Sequence, residues 1–128
     1  MGLASRLLRL AGAPEPRVLA LQLAKARFRG ELDTDGLTVR WLDEPDPYGR
    51  FEAPATLCVS RPWWEEHDDA ARERLMLHEL LHLAVYQHYG KDLWDAQHRD
   101  EGGHSALFEA MRTRYGLLDV PLDPNDLA

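Results

Sequence analysis

The sequence predicts an α+β fold: an N-terminal helix, a small β-sheet, a long helix and a C-terminal helix. Three observations predict it. A stretch opened by Pro14 and Pro16 and rich in apolar residues closes on Gly30. Two short runs of β-forming residues follow, at 36–42 and 56–60. A longer apolar stretch then runs from Asp68 or Asp69 to Tyr89, with Gly90 just past it. The 128 residues are enough for one hydrophobic core and too few for two, and 45% of them are apolar, as in an ordinary globular chain. The expected division is an N-terminal segment at 1–14, one domain at 15–118 and an irregular tail at 119–128.

Each element has a local reason. From Glu15 to Arg29, Val18, Leu19, Leu21, Leu23 and Phe28 lie among basic and small residues, which reads as a largely buried helix. Proline suits its first turn, and Gly30 stops it. Residues 36–42 alternate and carry Leu37, Val39 and Trp41, so they form a strand. Pro45 and Pro47 place a loop over 43–49, and 50–53 is a short strand. Thr56–Ser60 is a further strand. Pro62, Trp63 and Trp64 interrupt before the long helix, which Asp68 or Asp69 caps and Gly90 ends. Residues 91–103 are mostly polar and read as a loop. The last helix starts at His104 or Ser105, reaches Tyr115 and is closed by Gly116; Pro121 and Pro124 make the tail irregular.

Composition narrows the function classes. No apolar run approaches the roughly 20 residues that span a bilayer, so no membrane role is expected. Arg6 and Arg9 break the short apolar stretch at the N-terminus, which argues against an export signal. Cys58 is the single cysteine, so an internal disulfide and a four-cysteine metal site are both excluded. The expected compartment is the reducing cytoplasm. Net charge is −7, unevenly spread: residues 1–30 carry six basic groups against Glu15 alone, while residues 31–128 carry nine basic against 21 acidic. The basic residues between 6 and 29 are a candidate contact for DNA or an acidic partner; the plainer alternative is a solvated helix face.

The chemistry concentrates at His78, Glu79 and His82, an HExxH pattern in the middle of the long helix. Residues four apart share a helix face, about 6 Å apart at Cβ, so two imidazoles can converge on one ion. Zinc brings the pKa of a bound water to about 7, and Glu79 is the general base for its proton. Leu75, Leu77, Leu81, Leu83 and Val85 flank the motif, and two histidines with a glutamate are costly in so apolar a helix unless they share a task. One zinc ion, held by His78 and His82, is therefore expected.

A catalytic zinc takes three protein ligands. His104 ranks first for the third place: Gly102 and Gly103 before it permit close backbone approach, and Phe108 four residues on anchors its helix against the motif. Glu101 ranks second, followed by His98 and His88. His88 lies six residues after His82, as in metzincins, but Val85 stands where those enzymes leave the helix. On an unbroken helix six residues turn by about 600°, which takes His88 off the face of His82. His98, Asp100 and Glu101 are also candidates for contacts to the ligands.

In order along the chain, Phe28, Gly30 and Leu32, then Leu37–Trp41, Tyr48–Phe51, Thr56–Ser60, His78–His82 and Gly103–Phe108 resemble the SprT-like family of metallopeptidases. The resemblance covers about residues 18–115, in a minimal form without the zinc ribbon that many members carry. It implies a zincin-like domain, a protein or peptide substrate cleaved internally, zinc on His78, His82 and His104, and Glu79 as the catalytic residue. It also implies a role on DNA-associated or crosslinked proteins. A zinc-stabilised binding module with little turnover, and hydrolysis of a small amide, are the alternatives.

Trp41, Trp63 and Trp64 read as core or partly buried residues, whereas Trp94, between candidate ligands, is a candidate wall of a substrate groove. Cys58 reads as a small core residue. If strand 56–60 is a sheet edge beside the zinc helix, an extended peptide could add to it.

Overall fold

The computed structural model describes residues 15–101 and 106–120, with the side chains of 15–96 and 106–120. The N-terminal segment 1–14 and residues 121–128 of the expected tail lie outside the described residues.

The order of elements is α1 (Pro16–Arg27), β1 (Thr38–Leu42), β2 (Gly49–Glu52), β3 (Thr56–Ser60), α2 (Arg61–Glu66), α3 (Asp69–Tyr89), α4 (Lys91–Glu101) and α5 (Ala106–Arg114). Helix α1 starts on Pro16, whose missing N–H costs nothing in a first turn, and carries Lys25 and Arg27 at its negative end. It buries Ala20, Leu23 and Ala24 and ends where Arg29 and Gly30 take left-handed backbone, at φ 57° and 68°.

The three strands form one mixed sheet in the order β1-β3-β2, with β3 parallel to β1 and antiparallel to β2. Strand 56–60 is thus the centre of the sheet, paired on both sides. The condition for peptide addition to it, that it be a sheet edge, is not met, because strand order depends on long-range pairing that a strand's own pattern does not encode. The edges are β1 and β2. Leu57 and Val59 belong to the core, as do the half-buried Val39, Trp41 and Phe51 that pair beside them. Cys58 points to the opposite face, where Arg40 Nη2 and Glu52 Oε1 pair at 2.9 Å above it.

Two further differences concern helices. Ser60 accepts a hydrogen bond from the Trp63 N–H, and Pro62 sits in the first turn, so the interruption at 62–64 is the short helix α2. Its Trp63 and Trp64 are buried, while Trp41 is half-buried and edge-on to Trp64 at 6.0 Å. Residues 91–101, expected as a loop, are helix α4. Gly90 ends α3 at φ 88°, and the Trp94 N–H then donates to its carbonyl to open the new helix. A Lys91–Asp95 ion pair one turn apart and the burial of Trp94 favour that helix over the loop its polarity indicates.

Helix α3 starts where Asp68 accepts from the Ala71 N–H and runs unbroken to Tyr89. Every residue from Leu75 to Val85 is buried. The helix is central: α1, β2, α4 and α5 all pack on it. Helix α5 contributes Phe108 and Met111 to the core and ends in a Schellman turn on Gly116, with the Leu117 N–H reaching the Arg112 carbonyl at 2.8 Å. Among the described residues no helix is long and apolar enough to cross a membrane.

Candidate metal centre

His78, Glu79 and His82 lie at mid-length in α3, each at most 6% exposed. Their candidate ligand atoms all fall within 4.8 Å of one another, so this buried group could hold a metal ion. The imidazole rings are 5.1 Å apart, centroid to centroid, and inclined at 77°. That convergence follows from the four-residue spacing on an unbroken helix. It also requires α3 to stay regular through the motif, which its cap at Asp68 and its all-round burial secure.

Aromatic rings from three other elements wall the two histidines. Phe108 of α5 lies 5.1 Å from His78 and 4.8 Å from His82. Phe51 of β2 stacks on His82 at 6.4 Å and 15°. Trp94 of α4 meets His82 edge-on at 5.8 Å, and packs also against Phe51 and Tyr86. Trp94, expected in the wall of an open groove, is 6% exposed, so its ring serves mainly to back His82.

Glu79 faces β2. A Cβ added at Gly49 would stand 2.9 Å from Glu79 Oε2, so the strand backbone runs hard against the carboxyl group. Burial pushes the Glu79 carboxyl up to about 8, because a charge there has lost its water. In the metal-free protein the group is therefore mostly protonated at neutral pH. A divalent cation beside it reverses that preference.

Two imidazoles and one carboxylate, buried together, are a donor set suited to zinc and to other first-row divalent ions. His104 lies outside the described residues. His98 and Glu101 belong to α4, and their side chains lie outside the described ones. His88 is exposed and opens on a separate pocket with Glu31, Gln87 and Arg114. Of the basic residues between 6 and 29, Arg27 pairs with Glu73 and Arg29 donates to the Arg114 carbonyl, while Arg17 and Lys25 are exposed.

Gly49 and Phe51 were not among the expected site residues: Gly49 was placed at the end of a loop over 43–49, and Phe51 in a short strand at 50–53. A glycine opening a short strand is itself a signal of close backbone approach. Compared with protein-family models, with curated proteins and with solved structures, the chain matches none.

Proposed function

We propose that this chain is a zinc-dependent peptidase, with His78 and His82 as metal ligands and Glu79 as general base. The observation that carries the reading is the buried His-Glu-His group on α3 directly beneath an edge strand. Bound zinc would supply Lewis acidity toward a carbonyl and acidify a water. Glu79 would then hold and pass on a proton at its carboxyl oxygens, and the aromatic wall would keep bulk water out.

The edge strand is what favours a peptide over a small amide. The Ser60 N–H donates to the Tyr48 carbonyl at 2.8 Å, which makes 48 and 60 a hydrogen-bonded pair. By the alternation of antiparallel ladders, 50 with 58 and 52 with 56 are also bonded pairs. Gly49 and Phe51 therefore direct their N–H and C=O groups away from β3, and among the described residues no strand pairs there. An extended peptide adding to this edge would pass beside Glu79 and His82. The order of motifs that resembles the SprT-like family, with His104 as third ligand, supports the same reading.

One observation favours a second reading, a zinc-stabilised binding module: His78 is 1% exposed and Glu79 2%, as in a closed structural site. Digestion of an unfolded protein such as casein separates the two. The peptidase reading expects cleavage by the zinc-loaded protein and its loss in Glu79→Gln with zinc retained. Equal digestion by both proteins removes Glu79 as the base, and digestion by neither leaves the binding module.

A further inference from the structure

Gly49 has no conformational need to be glycine. It lies within β2, paired opposite Val59, in ordinary strand backbone. What it lacks is room. An added Cβ would meet Glu79 Oε2 at 2.9 Å, Leu75 Cδ1 at 2.9 Å and the Cys58 carbonyl oxygen at 3.3 Å. The carbonyl belongs to the central strand and cannot yield. Leu75 is fully buried in the core, and close-packed interiors resist even one added methyl. A side chain at 49 must therefore turn the Glu79 carboxyl or lift β2 from α3, and either movement separates the strand from Oε2.

We propose that Gly49 is a positioning residue for Glu79: its bare backbone lets β2 close on one carboxyl oxygen and so limits where the proton-accepting group can sit. The contact holds whatever the protein does. Its catalytic consequence rests on the peptidase reading.

The test is a double-mutant cycle on the full chain, read by thermal unfolding without metal and by kinetics with zinc. Gly49→Ala is made in the wild type, in Glu79→Gln and in Glu79→Ala. Glutamine keeps the shape of glutamate, so the loss of Tm on adding the methyl should be as large there as in the wild type. Alanine at 79 removes the obstructing atom, so that loss should shrink by about half or more, the mark of residues in contact. Equal losses in all three backgrounds would overturn the contact. If Gly49→Ala does not accumulate as folded protein, the cycle is run on Leu75→Val, which removes the aliphatic part of the clash.

With zinc bound, Gly49→Ala should lower kcat on the order of tenfold to a hundredfold, as small misplacements of a reacting group do. KM should move less than about twofold, since the loss lies in the chemical step. A raised KM with unchanged kcat would show that the methyl disturbs only pairing at the strand edge, and would overturn the positioning role. An inactive wild type would remove the peptidase reading, and the unfolding cycle would still decide the contact.

Discussion

The two faces of one small sheet treat their charged groups in opposite ways. On the inner face, Gly49 and Phe51 press against Glu79 and His82, and the carboxyl is pushed up to about 8 by loss of water. On the outer face, one residue further along the same strands, Arg40, Arg50 and Glu52 pair with one another in solvent around the buried thiol of Cys58. The outer charges need only each other and water. The inner ones are kept ionisable in a dry site, which has a cost in stability unless a cation offsets it. Two histidines and a glutamate buried together there could hold a metal ion, which would offset that cost.

That contrast can be broken by mutation. The largest effect belongs to the aromatic wall. Phe108 is fully buried against both histidines, so Phe108→Ala should destabilise the fold by about 3–5 kcal/mol in urea unfolding and weaken metal binding with it. Next is the buried acid. Burial pushes the folded carboxyl of Glu79 up to about 8 against a reference of 4.5, so its contribution to the stability of the metal-free protein should fall as pH rises from 4.5 to 8 and level off above it. Glu79→Gln has no such proton to lose, and its advantage over the wild type should grow with pH across that window. A flat difference between the two proteins from pH 5 to 8 would place the carboxyl in water. The smallest effect is on the outer face. Glu52→Gln should change stability by under about 1 kcal/mol, with metal affinity unaltered, because exposed ion pairs contribute little.

What the sequence made legible follows the same division. Helix α3 could be read to its ends, since Asp68, the apolar run and Gly90 act locally, and HExxH located the three groups that the fold brings together. Phe108 could also be read, as the residue four beyond His104, and it does pack on both rings. Helix α4 was hidden because Lys91–Glu101 is mostly charged, and its order comes from Trp94 docking on Phe51, Tyr86 and His82, contacts made across the fold. The edge role of β2 in place of β3 was hidden for a related reason. Thr56–Ser60 has the richer β-pattern because it is central, and the strand that adjoins the motif is the one with a glycine and two charges in four residues. Gly49 reads as a turn residue until Glu79 is placed beside it.

The central claim, that the inner face is built around a bound ion, is tested most directly by zinc stoichiometry. Measured by elemental analysis after equilibration with equimolar zinc and gel filtration, the wild type should carry one zinc per chain. Glu79→Gln should keep it, and the paired His78→Ala, His82→Ala variant should lose it. A wild type that retains no zinc, or a double variant that retains as much, would contradict the account.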